Sequence, residues 1–195
     1  MHLGGAPSWR VGYGGSLAVD FALFIRDTLA LSVDTRPHVP SLEPVLPVAI
    51  PNGVDRAAIE AEWPGWWDDV LEWAREEVPS QQALTMAPMV ETSPALANRP
   101  ALRASVAALT VPAARYHAEL SKTFVSSPLP INDVVQSVER ELGRPVRPFS
   151  LVITQVRVSE PMWEPLTETH VLASHRFTDS KAVVPALREI ISPLA

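Results

Sequence analysis

The sequence predicts an α+β protein, a single domain over residues 1–195. Several amphipathic helices pack on a small antiparallel sheet formed mainly by the C-terminal third, and long proline-rich connectors join them. Three observations carry that prediction. Apolar residues recur at spacings of three and four in separated stretches, which is the helical period. After Pro148 the period shortens toward two and β-branched residues accumulate. Twenty prolines gather where the periodic segments stop; each ring removes a backbone donor and fixes φ.

Residues 1–15 read as a flexible lead. Within it GYGGS, Gly12 to Ser16, has neither the lysine nor the complete G-x-G-x-x-G spacing of a phosphate-binding turn. Ser16 is placed to cap a helix beginning at Leu17. Over residues 16–31 a strand-like alternation (Leu17, Val19, Phe21, Leu23, Ile25) competes with one helical face (Leu17, Phe21, Phe24, Ile25, Thr28), and length and alanine content favour the helix. Residues 33–51, spaced by Pro37, Pro40, Pro44, Pro47 and Pro51, form an extended connector, and residues 79–98 form a second. Loops of that length are uncommon inside compact domains, and their apolar residues suit arms lying on a surface.

Between the connectors, Pro64 suits a first helical turn, and Trp63, Trp66, Trp67, Val70, Trp73 and Ala74 then share one face. Asn98 can cap a helix with apolar positions from Leu102 to Phe124, which Pro112 kinks or divides in two. Residues 131–195 read as a helix–strand–strand–helix core. Asn132 caps the first helix, whose stripe is Val134, Val135, Val138 and Leu142, and Gly143 and Pro145 stop it. Residues 149–160 suit a strand covered on both sides. PMWEPL is a connection too long for a tight turn, and residues 167–177 alternate like a half-buried strand. The last helix has Asp179 as its cap and Val183, Val184, Leu187, Ile190, Ile191 and Leu194 on one face.

Composition narrows the function. The chain has no cysteine, which removes disulfides, thiolate nucleophiles and Cys-type metal sites. The net charge of −6 resides in residues 55–78, and elsewhere acids and bases balance, leaving no basic field for nucleic acid. The opening MHLGGAPSWR lacks a signal peptide's basic start and apolar core, and Ser16–Leu31 carries three charges, so the expected location is cytoplasmic with no membrane span.

Two sets of side chains are candidate sites. The segment EWPGWWDDVLEW, residues 62–73, holds four of the six tryptophans. On a helix, Trp63, Trp66, Trp67 and Trp73 face one way while Asp68, Asp69 and Glu72 point elsewhere. Such a helix either buries its aromatic stripe in a core or offers a partner an indole surface with an acidic rim. The second set is Glu168, His170 and His175, around HVLASH. Glu168 and His170 share a strand face, whereas His170 and His175, five apart, point to opposite faces and cannot reach one metal together. No cofactor or metal is expected. The resulting expectation is a non-catalytic interaction or assembly subunit that binds another protein or a second copy of itself. The alternative is a small metal-independent enzyme using Glu168 and His170, with His175, near a pocket under the arms.

Overall fold

A computed structural model describes residues 9–76, 87–123 and 128–195, with the side chains of residues 121 and 123 excepted. The architecture is α+β, with six helices and a four-stranded mixed sheet among the described residues. The chain packs into two compact units. One comprises residues 1–14, 126–155 and 161–195; the other comprises residues 15–125 and 156–160.

The first unit contains the sheet. Its strands are β1 (Arg10–Gly15), β2 (Ser150–Val156), β3 (Trp163–Thr167) and β4 (His170–Ser174), in the spatial order β1-β2-β4-β3. Strand β1 corrects the expectation of a flexible lead at residues 10–15, while residues 1–8 of that expectation lie outside the described set. Arg10 donates to the Phe149 carbonyl at 2.9 Å, Trp9 stacks on Phe149, and Val11 packs against the core, which anchors a glycine-rich segment without a readable period.

The expected connection PMWEPL contains another strand. β3 pairs antiparallel with β4, with Trp163 opposite Ala173 and Pro165 opposite Val171. Pro165 is tolerated because β3 is an edge strand, and the register shifts between Pro165 and Thr167. The single half-buried strand expected over residues 167–177 is two elements instead. All five residues of β4 are buried, as befits a central strand, and His175 opens a one-turn helix.

Leu151 and Ile153 of β2 and Val171 and Ala173 of β4 pack against helices α4 (Ile131–Leu142) and α6 (Val183–Leu194) through Val134, Val138, Leu187 and Ile191. Gly143 adopts φ 65°, the left-handed stop that the sequence indicates. The caps fall elsewhere than expected. Pro130 rather than Asn132 precedes α4, Ala182 rather than Asp179 precedes α6, and Asp179 instead ends the short helix α5 (His175–Thr178), whose start is capped by Ser174 Oγ. Arg188 on α6 bonds Glu141 on α4 at 2.6 Å and holds the Glu141 carboxyl below its usual range.

The second unit is helical: α1 (Leu17–Thr28), α2 (Arg56–Arg75) and α3 (Pro100–Thr123). Helix α1 settles the ambiguity over residues 16–31. Helix α2 begins eight residues before Pro64, because Asp55 accepts the Ala58 N–H and Ile59 extends the apolar stripe upstream. Pro64 therefore lies in the helix interior, where it leaves the Glu60 carbonyl without its usual N–H partner. Pro112 likewise lies within α3, which runs as one element.

Asn98 does not cap α3. Glu62, reaching across from α2, accepts from the backbone N–H groups of Ala101 at 3.3 Å and Leu102 at 2.8 Å, placing a carboxylate where the helix N-terminus is positive. The core holds Trp63, Trp66, Trp67, Val70, Leu23, Ile25, Leu102 and Val106. Trp63 stacks on Trp67 at 6.2 Å and meets Trp66 edge-on at 5.2 Å, and the Trp66 indole donates to the Pro88 carbonyl at 2.8 Å.

Residues 33–51 carry no helix and lie along this unit. The buried Arg26 guanidinium donates to the carbonyls of Val39 (2.5 Å) and Pro40 (2.7 Å) and to Asp27 (2.6 Å). Asp27 in turn accepts from Leu42 N–H, and Leu42 forms an antiparallel bridge with Val158. Of the second connector, residues 79–86 lie outside the described set, and residues 87–98 are turns with a short 3-10 helix, Pro94–Leu96. Among the described residues no helix is long and apolar enough to cross a membrane.

Arg26 is a buried charge serving three acceptors, so its loss should be costly. Arg26→Met is expected to lower unfolding free energy by about 3 kcal/mol in urea denaturation and to expose residues 33–51 to protease. An unchanged midpoint would mean that the arm is held by other contacts.

Candidate functional site

The outer side of α2 carries Asp69, Glu72 and Trp73, at helical spacings of three and one, and Glu76 follows as the residue that ends the helix. They form one wall of a groove of about 520 Å³ whose other wall includes Pro94 and Arg99. Trp73 is half-buried at this wall, and Glu72 is 74% exposed and lies 3.6 Å from Arg75. Among the described residues the one cation lining the groove is Arg99. Its guanidinium bonds Asp69 Oδ2 at 2.5 Å and also donates to the Ala95 carbonyl.

Gly65 explains how the guanidinium can lie there. A β-carbon at position 65 would stand 2.8 Å from the Arg99 Nη2 atom, too close without movement of the side chain. Glycine inside a helix costs about 1 kcal/mol relative to alanine, and here it leaves room for a close approach. The groove thus combines carboxylates, a partly accessible indole face and a seat shaped for a planar cation.

The expected site residues are distributed unevenly. Trp63, Trp66 and Trp67 are at most 1% exposed and give their area to the core, so of the four tryptophans only Trp73 reaches the groove. Asp69 and Glu72 line it; Asp68 is exposed and does not. Glu168 sits exposed in the β3–β4 turn, while His170 is buried and shares a 2.9 Å hydrogen bond with Thr154 Oγ1. The strand-face pairing expected of Glu168 and His170 does not form, because the strand begins at His170 and leaves Glu168 in the turn. His175 opens α5, half-buried. Among the described residues no group of three or more His, Asp or Glu could hold a metal.

Two further features escaped the sequence. A second groove of about 530 Å³ in the helical unit is bordered by Arg26, Asp27, Val33, Val45 and Val48. Val45, Val48 and Ile50 project from the arm at 79%, 61% and 46% exposure.

The other feature is a titratable cluster that joins α1 to α3. His117 Nδ1 lies 3.2 Å from Asp20 Oδ2, and the neighbouring Tyr116 ring packs on Phe24 at 5.3 Å. Burial, reinforced by Asp20, pushes the Tyr116 phenol up to about 12, and burial lowers Arg157 beside it. The sequence offered no signal for this cluster, since its members lie some hundred positions apart and Tyr116 read only as part of an apolar stripe.

The Asp20 hydrogen bond raises the His117 pKa above its ordinary value, against the opposing effect of burial. The imidazolium is therefore favoured in the folded chain. Its stabilising contribution is fully present below the unfolded value of about 6.5 and is lost as pH rises through the higher folded value. Because the His117 side chain is 37% exposed, the effect should stay below about 1 kcal/mol. Urea denaturation at about pH 6 and about pH 8 should show wild type losing more stability than His117→Gln across that interval. Parallel curves would deny the pair a role. No protein-family model, no curated protein and no solved structure matches the chain.

Proposed function

We propose that this protein is a non-catalytic interaction module that docks a basic segment of another protein along the α2 groove. One observation carries the reading: Asp69, Glu72 and Glu76 line a concave surface beside a half-buried Trp73, in the segment that holds the chain's whole net charge. A groove of that sign attracts lysine- and arginine-bearing segments and raises their encounter rate. The indole adds a flat apolar face over which a cation is favoured. The arm with Val45, Val48 and Ile50 supplies further apolar surface on the same unit.

Catalysis by Glu168 and His170 finds no comparable support. One side chain is in solvent, the other is engaged with Thr154, and neither lines the α2 groove or the groove beside the arm.

Fluorescence anisotropy with a labelled arginine- and lysine-containing peptide tests the proposal. Binding should weaken about tenfold on Trp73→Ala, or on Glu72→Gln combined with Glu76→Gln, and should fade as salt is raised. Light scattering on the chain alone reports whether a second copy occupies the groove instead. Equal affinity for an acidic peptide of the same length, or indifference to both sets of substitutions, would overturn it.

A further inference from the structure

We infer that the seat now filled by Arg99 is an arginine-recognition subsite, which a partner's arginine enters by displacing Arg99 from Asp69. The inference rests on the proposed docking function and names the side chain that the groove reads.

Three features define the seat, and the last two favour arginine over an ammonium. Asp69 Oδ2 and the Ala95 carbonyl accept from one guanidinium nitrogen, two fixed acceptors on different elements. Gly65 lets a flat group lie directly against the α2 backbone, where any side chain would place a β-carbon 2.8 Å from the Arg99 Nη2 atom. Trp73 lies one helical turn along the same face from Asp69, so a guanidinium approaching the seat passes an indole on which it can stack. An ammonium can serve the two acceptors from one nitrogen as well, but only a planar guanidinium also lies flat over the glycine and presents a face to the indole.

Arg99 is also poised to leave. Its side chain is 22% exposed and that of Asp69 41% exposed, so water competes for the pair, and exposed ion pairs of this kind hold weakly. Arg99 stands at the groove wall immediately before α3, whose first N–H groups are held separately by Glu62. The helix start therefore does not depend on the guanidinium. Arg99 acts as an internal stand-in that keeps the seat charged and shaped, and a ligand competes with it.

The test compares two peptides, one containing arginine and one identical except for lysine, binding to the full chain and to three variants. Gly65→Ala puts a β-carbon where the guanidinium lies and so crowds a partner's arginine as it crowds Arg99, while leaving every charge in place. Arg99→Gln empties the seat by composition. Arg99→Gln should bind the arginine peptide about fivefold more tightly than wild type, the advantage expected from removing a competitor held by a weak ion pair, whereas Gly65→Ala should bind it about fivefold more weakly because the seat is filled. The lysine peptide should change by less than about twofold. Asp69→Asn should erase the preference for arginine.

Thermal melting checks each variant's fold, and should Arg99→Gln melt early, Gly65→Ala decides. If Trp73→Ala weakens peptide binding but Gly65→Ala leaves the affinity for the arginine peptide unchanged, the groove binds basic segments and the arginine subsite is wrong. If no form of the protein binds either peptide, the docking function falls and the subsite with it.

Discussion

Helix α2 buries Trp63, Trp66 and Trp67 only by presenting the same side to the helical core along much of its length. That constraint governs the rest of the unit. With positions 59, 63, 66, 67, 70 and 74 committed inward, positions 69 and 72 turn outward and Trp73 lies at the edge of the buried stripe, so the acidic wall of the groove is a result of the packing of the indoles. Each buried ring is worth about 3–5 kcal/mol against alanine, far more than any carboxylate on the outer face contributes. The core thus fixes the groove's orientation, and the groove's residues remain open to change without risk to the fold.

The contacts between α2 and α3 show how polar groups complete what the apolar ones begin. Glu62 supplies from a neighbouring helix the cap that α3 lacks locally, and Asp69 engages Arg99 two turns further along. Arg26 and Asp27 do similar work for the arm, tying down backbone groups that proline-rich sequence cannot pair within itself. For the arm, a side-chain pair from a regular element satisfies backbone from an irregular one. The proline content of the chain is tolerable because these acceptors and donors are available on the helices.

Much of the class and several elements were legible in the residues, and the failures have physical causes. The helix over α1 came through on length and alanine content, and the left-handed Gly143 because a clear helical period and a stop signal agree there. Strand β1 was hidden by glycines, and β3 by Pro165, a proline that an edge strand accepts and a central one would not. The full length of α2 was obscured by treating Pro64 as a boundary, when capping at Asp55 and burial on both sides of the proline carry the helix through. The acidic segment was evident from composition. Which of its residues would meet in a groove was not, because Arg99 is 30 positions from Asp69 and only tertiary packing brings them together.

The stacked pair of Trp63 and Trp67 carries one more consequence. Neither indole nitrogen has a hydrogen-bond partner among the described residues, although both are sealed from solvent. A buried donor left unmatched penalises folding by on the order of 1–3 kcal/mol, so each of these nitrogens detracts from the ring that bears it. What the interior selects at both positions is a broad, flat hydrocarbon outline, and the heteroatom is tolerated cargo. A bicyclic aromatic lacking the N–H would suit this cavity better than the residue that evolution, confined to twenty choices, had available.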